Sequence, residues 1–265
     1  MSPTTPPVNR PLLPRPLSVL LGRGDDRGGL GHRTVLRTLS GHHLRVAPWQ
    51  GQPDVALVGP GRASRNLQPV EIVSCVEALA GRGVRQAVTP ALSPQEAEPF
   101  FRAGFRLHEN LHLLARPIDG DPPAVSHRLR RGHPWDRRRV LALDNAAFEQ
   151  FWQFDSFSLK EARRATPANR FMVCPGPDGV VGYAVTGRAG GRGYLQRLAV
   201  HPEAQGQGIG AALVNDCLWW LHKRGVSLAL VNTQERNARA LGLYERLGFV
   251  LQREGLLVLR WDTPA

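Results

Sequence analysis

Three glycines at alternate positions, Gly206, Gly208 and Gly210, stand between an apolar stretch (YLQRLAV, 194–200) and a helical-looking one (AALVNDCLWWLHKRG, 211–225). Glycine weakens a helix but reaches positive φ and lets a backbone come close. Clustered where a helix begins, it points to an anion held on the unpaired N–H groups of the first turn. Downstream, Asn237 lies seven residues before Tyr244, two helical turns, so an amide and a phenol share one face. Two further patterns could do chemistry. HENLH (108–112) formally matches the two-histidine zinc-protease motif, and His201 precedes Pro202 in the glycine segment.

The elements around these residues select among the readings. Gly206-x-Gly208-x-x-Ala211 also satisfies the dinucleotide-binding fingerprint. That motif runs a strand straight into its glycines and needs a ribose-binding acid on the next strand. Here HPEAQ intervenes and the next strand, SLALVN, ends in Asn232. In the second half, PWDRRRVLALDNAAFEQFW and SLKEARRA read as helices. RFMVC, VVGYAVTGR and YLQRLAV form a meander of strands, and ERNARALGLYERLG is a helix closed by Gly248. Two last strands surround QREG.

The same plan occurs earlier in the chain. FFRAGFRLHENLHLLAR (100–116) aligns with LYERLGFVLQREGLLVLR (243–260), and LAGRGV (79–84) with LHKRGV (221–226). A duplicated unit follows, with a flexible leader at 1–17, a first domain at 18–116, a linker at 117–126 and a second domain at 127–265. At the counterpart of the glycine loop the first half has ASRNLQ (63–68), and at the counterpart of Tyr244 it has Phe100. The repeat puts HENLH in a terminal hairpin with Glu109-Asn110 as its turn. A zinc helix is excluded there, no metal is expected, and His201 reads as a turn residue.

With these residues in place, QGQGIG (205–210) matches the Q/R-x-x-G-x-G/A signature of the GNAT acetyltransferases. Val200, Pro202, VNTQERNARALGLYERLGF (231–249) and the terminal strands follow in that family's order, so about residues 128–261 resemble it. The tandem layout is similar to that of mycothiol synthases. The resemblance implies an α+β fold: a mixed, mostly antiparallel sheet flanked by helices, duplicated with a truncated N-terminal copy. It implies acetyl-CoA as the acyl-donor cosubstrate. Its pyrophosphate would rest on Gln205, Gly206, Gln207, Gly208, Ile209 and Gly210, with its arm along Leu198, Ala199, Val200 and Asn237. Tyr244 would be the general acid that protonates the departing thiolate; without the loop it reads as a core aromatic. The base stays open among Glu235, Asp155 and a water chain. The acceptor region, FEQFWQFDSFS (148–158), offers Trp152, Phe154 and Asp155 for a cationic amine, or ordinary helix-end packing. The expected activity is direct transfer of acetyl to a primary amine of a small molecule or a protein N-terminus. A non-catalytic acyl-CoA sensor is the alternative. The first half, lacking the loop, is expected to help shape the acceptor cleft.

Bulk composition bounds the setting. The chain has 265 residues, a formal net charge of +12 and 34 Lys and Arg, of which all but two are arginine. With 28 Gly and 22 Pro this resembles GC-rich coding bias, a poor case for nucleic acid. No apolar run is long enough to span a membrane. Three scattered cysteines fit a reducing cytoplasm, and a monomer or homodimer is expected.

Overall fold

The computed structural model describes residues 34–37 (backbone only), 41–61, 66–177 and 179–264. The expected leader and residues 63–65 of the first-half loop lie outside them. One 12-stranded sheet runs through both halves. The first half supplies β1 (Thr34–Arg37), β2 (His43–Trp49), β3 (Gln52–Pro60), α1 (Pro69–Ala80), β4 (Gln86–Val88), α2 (Pro94–Arg102) and β5 (Arg106–Pro117). The second supplies β6 (Arg130–Arg131), α3 (Arg137–Ala147), α4 (Ser156–Arg164), β7 (Ala168–Gly176), β8 (Gly179–Ala189) and β9 (Arg192–Val200). It continues with α5 (Ile209–His222), β10 (Leu228–Gln234), α6 (Ala238–Arg246), β11 (Val250–Leu251) and β12 (Leu256–Asp262).

Most neighbours are antiparallel; β3–β4 and β9–β10 are the parallel pairs, one in each half. This is the mixed, mostly antiparallel, duplicated α+β fold that the repeat implies. The repeat landmarks need glycine for the same reason in both copies. Gly83 and Gly225 end helices at φ +87° and +64°, and Gly104 and Gly248 turn the chain at +88° and +77°, where a Cβ is disfavoured.

The strand order is β1-β2-β3-β4-β12-β5-β10-β9-β8-β7-β6. Each half therefore lends its last long strand to the other. β12 lies between β4 and β5, and Leu259, fully buried, sits in the first half's core with Ile72, Leu92 and Phe100. β5 lies against β10 over Leu228–Gln234, and its Leu114 joins the core under α5 and α6. Hydrogen bonds from Thr89 N–H to Leu259 O (2.9 Å) and from Leu259 N–H to Thr89 Oγ1 (2.8 Å) close the seam. The other face of the second half is packed by α3 and α4 on Phe171, Val173, Tyr183 and Val185.

This exchange overturns the expected first-half hairpin. β5 is one unbroken 12-residue strand, and Glu109 and Asn110 pair with Val258 and Leu257 in mid-strand rather than turning. Flanked on both sides by strands of the other half, the segment has no reason to fold back. His108 and His112 are then four strand residues apart, roughly 13 Å, too far to share an ion. His108 instead packs its ring on Phe151 at 4.2 Å.

Candidate active site

The cleft is made where two parallel strands part. β9 and β10 pair from Arg192↔Leu228 to Leu195↔Val231 and no further. The register of β9 on β8 slips at the same point, from Thr186↔Leu195 to Val185↔Arg197, so Gln196 is an extra, bulged residue. A bulge bends its strand and sharpens the local twist, which carries Gln196–Val200 away from Asn232–Gln234. The gap opens into a cavity of about 1330 Å³.

The glycine loop closes one end of it. After a 3-10 turn (Pro202–Ala204), Gly206 and Gly208 take φ of +81° and +84°, and Gly208 is the left-handed N-cap of α5. The first helical bond is Ala212 N–H to Gly208 O (3.0 Å). Among the described residues, the N–H groups from Gly206 to Ala211 donate no hydrogen bond, and the loop lines the cavity. Unpaired donors on the positive end of a 14-residue helix are an anion cradle. Gln205 braces the loop, donating to Val200 O at 3.1 Å and accepting from Arg239, which brings a cation to its rim. A Cβ at Gly210 would stand 3.2 Å from Leu243 Cδ2, so that glycine lets α6 close on α5.

Asn237 and Tyr244 both face this cavity from α6. Asn237 caps the helix, its Oδ1 accepting from Ala240 N–H at 3.0 Å. Tyr244 is buried, its ring 5.8 Å from Phe249, and its hydroxyl has no hydrogen-bond partner among the described residues. Burial pushes its pKa up, so it keeps its proton at neutral pH. Leu198, Ala199 and Val200 line the parted edge of β9.

The acceptor side is mixed. Trp152 and Phe154 line the cavity; Asp155 does not, because it caps α4, accepting from Ser158 N–H at 2.7 Å. Glu235 is exposed at the end of β10, outside the lining. Glu161, on α4, is the one carboxylate among the described lining residues, against Arg45, Arg164, Arg197, Arg239 and Arg246. Arg45, Trp49, Leu57, Gly59, Pro60 and Pro90 of the first half complete the wall.

A buried polar cluster under this wall was not evident in the sequence. Asp144 of α3 is wholly buried, and Arg197 of β9 meets it with two bonds, Nε to Oδ2 at 2.8 Å and Nη2 to Oδ1 at 2.7 Å. Tyr183 of β8 donates to Oδ2 at 2.5 Å and Phe154 N–H to Oδ1 at 2.7 Å. Arg197 Nη2 also donates to Trp152 O at 2.7 Å. Its guanidinium lies between the rings of Phe148 (3.5 Å) and Phe154 (3.9 Å). Three elements and the loop before α4 are tied at one carboxylate, whose partners are 10 to 53 residues away. The one local signal is an acid at a core-facing position of α3, one residue after Leu143.

The chain is similar to known proteins in sequence and in fold. The model of the acetyltransferase (GNAT) family matches residues 137–249. A protein named mycothiol acetyltransferase from Saccharomonospora viridis is 34% identical over 131 residues, covering 43% of this chain and 42% of that protein. Another of the same name, from Geodermatophilus obscurus, is 28% identical over 249 residues, covering 84% and 80%. The chain thus spans less than half the length of the first of these relatives in the match. A solved tandem GNAT protein from the clavulanic acid biosynthesis pathway superposes with a TM-score of 0.63 at 16% identity, over 87% of this chain and 82% of that one. Among the described residues, no helix is long and apolar enough to cross a membrane, and no group of three or more His, Cys, Asp or Glu could hold a metal ion.

Proposed function

We propose that this chain, whose residues 137–249 form a GNAT acetyltransferase domain, transfers acetyl from acetyl-CoA directly to a primary amine. The observation that carries the reading is the run of unpaired N–H donors at Gly206–Ala211, opening into the same cavity as a buried, protonated Tyr244. The donor set fits a diphosphate, since two glycines at φ above +80° bring backbone rather than side chains to the anion. Acetyl-CoA would supply the activated acyl group. Backbone groups on the parted edge of β9, at Leu198–Val200, would donate to the carbonyl oxygen as negative charge develops on it. Asn237 would hold the cofactor arm, and Tyr244 would give its proton to the departing thiolate sulfur. Glu161 replaces Asp155 as the carboxylate that would draw in a cationic amine.

The second half would carry the chemistry. The first would carry none, because its counterpart of Tyr244 is Phe100, a fully buried ring packed on Phe105. Its part would be the acceptor wall, from Arg45 to Pro90. The names of the relatives make the deacetylated form of mycothiol the first acceptor to try. Three buried, unpaired cysteines agree with a cytoplasmic setting.

The test is calorimetric titration with acetyl-CoA followed by thiol release in the presence of amines. One site per chain and turnover are expected. Tyr244→Phe should lower kcat roughly 10²-fold or more with acetyl-CoA affinity unchanged. Binding without turnover over a broad amine panel would replace the enzyme with a sensor; no binding would refute both.

A further inference from the structure

The sheet ends at β6, and the chain turns there into α3 through a segment rich in charge and aromatic surface. Buried bonds fix the turn. Asp136, 1% exposed, accepts two hydrogen bonds from Arg130 (2.7 and 2.8 Å) and one from His133 N–H (2.8 Å). Gly132 N–H donates to Phe171 O at 3.0 Å. On this base the rings of His133 and Trp135 stack nearly parallel, their centroids 4.2 Å apart and their planes 8° from each other. His133 covers one face of the indole, yet Trp135 is 71% exposed, so the other face is open. Six arginines flank the stack between positions 128 and 139, and Asp136 is the one acid among them. Arg130 is matched to it. Arg128, Arg131, Arg137, Arg138 and Arg139 are exposed, and none has an ion-pair partner among the described residues. Arg137, Arg138 and Arg139 form the first turn of α3, the end of a helix where cations are disfavoured. An indole held in water and like charges crowded at the positive end of a dipole both cost the fold stability. A flat anionic ligand would relieve both.

We propose that this surface binds single-stranded nucleic acid. A base would stack on the open face of Trp135, and the phosphates beside it would lie on Arg131, Arg137 and Arg138. Aromatic rings for unpaired bases, set among cations for the backbone, are how single strands are held without regard to sequence. Composition alone argues poorly for nucleic acid, but here rings and unpaired cations are placed together. Other occupants match less of the surface. A duplex keeps its bases stacked on one another and offers the indole no ring face. An acidic peptide would answer the arginines and leave the open face of Trp135 unused. A second copy of this chain would bring like charges together. The surface is also remote from the cleft. α3 has 11 residues, roughly 16 Å of helix, and Ala147 at its far end is the residue that lines the cavity. Binding here is independent of the acetyl transfer proposed above.

The experiment titrates the full chain into a short fluorescein-labelled oligoadenylate and reads anisotropy over a range of salt concentrations. Binding at low salt that falls as salt rises is expected. Trp135→Ala should weaken it about 5- to 150-fold, the worth of one base on an aromatic ring, and Trp135→Phe should keep much of it. Arg137→Ala and Arg138→Ala should each lower the salt slope by about 0.7, one phosphate contact on a single strand. Acetyl-CoA affinity should stay the same in all four variants, and circular dichroism verifies each fold. Polyglutamate and phosphatidylserine vesicles carry charge without bases, and a duplex of the same length hides its bases, so all three should bind more weakly than the oligoadenylate. No binding by the unaltered chain overturns the proposal, and that result needs no variant to fold. Polyglutamate or duplex binding as tight as the oligoadenylate overturns it too, as does binding of vesicles alone. Unchanged affinity in Trp135→Ala would leave only the general attraction of a chain with net charge +12, and it would overturn the proposal as well.

Discussion

Replacing Gly208 with valine tests the anion cradle at its most constrained point. Gly208 holds φ at +84°, a region that costs an L-residue roughly 1–2 kcal/mol. An added Cβ would also stand 3.3 Å from His127 Cε1, and a β-branched side chain brings two methyls to that spot. The chain escapes by turning residue 208 out of the left-handed region, which swings the N–H groups of the loop away from their common target. Each lost charge-assisted bond weakens binding about 10- to 150-fold. Two neighbours serve as references. Gly206 has nearly the same φ, +81°, but nothing within 4 Å of its added Cβ, so Gly206→Ala carries the conformational cost alone. Gly210 lies in α5 without positive φ, and its Cβ meets the ends of two side chains, Leu243 Cδ2 at 3.2 Å and Val200 Cγ2 at 3.9 Å. The expected order of loss in acetyl-CoA affinity is Gly208→Val, then Gly206→Ala, then Gly210→Ala. Calorimetry reads it, with circular dichroism to verify each fold. Unchanged affinity in Gly208→Val would refute the cradle. An equal loss in Gly210→Ala would show that space, rather than donor direction, governs the site.

Asp144→Ala strands the Arg197 cation and the Tyr183 hydroxyl in the core, so it should cost about 3–5 kcal/mol, read as a fall in denaturant midpoint. Changing Asp144, Arg197 and Tyr183 together to apolar residues should recover most of that loss. Acid stability should depend on Asp136, 1% exposed, whose carboxyl is held below the usual range by its hydrogen bonds with Arg130 at 2.7 and 2.8 Å. A depressed folded-state pKa stabilises fully above the unfolded value near pH ~4 and is lost as pH falls through the lower folded value. Asp136→Asn should therefore flatten the stability curve below about pH 4, measured by unfolding at a series of pH values. Deleting residues 256–265 removes β12 and uncovers Thr89, Leu92 and Phe100, so both halves should lose their cooperative transition together. A surviving calorimetric transition for the second half would count against the interlock.

Local physics was readable from the sequence where one residue type answers one local need. Alternate glycines at a helix start imply positive φ and free donors, and both were found at Gly206 and Gly208. The two-turn spacing of Asn237 and Tyr244 put them on one cavity wall. At Asp155 two readings were open, and the structure shows the helix-end one: an acid three residues before Ser158 at a helix start acts as an N-cap. The strand exchange was out of reach because both copies approach their last strands through the same Gly-Phe turn. Nothing at Gly104 or Gly248 says which sheet the following strand will join. The same blindness produced the hairpin expected at Glu109-Asn110. Arg197 and Asp144 were hidden by separation, since a pair 53 residues apart has no period to detect.

The order in which the strands leave the ribosome gives the interlock a cost in time. The first half is synthesised through β5 long before β12 exists, with roughly 145 residues between Pro117 and Asp262. At about 5–20 residues per second that interval is roughly 7–29 s. Throughout it, β4 keeps an unpaired edge and the core around Phe100 lacks Leu259. β5 meanwhile waits for β10. Neither half can reach its final state first, so the nascent chain presents open strand edges to any neighbour until Leu256–Asp262 arrives. Slow synthesis would lengthen that exposure, and a holdase chaperone that covers β4 would shorten its consequences.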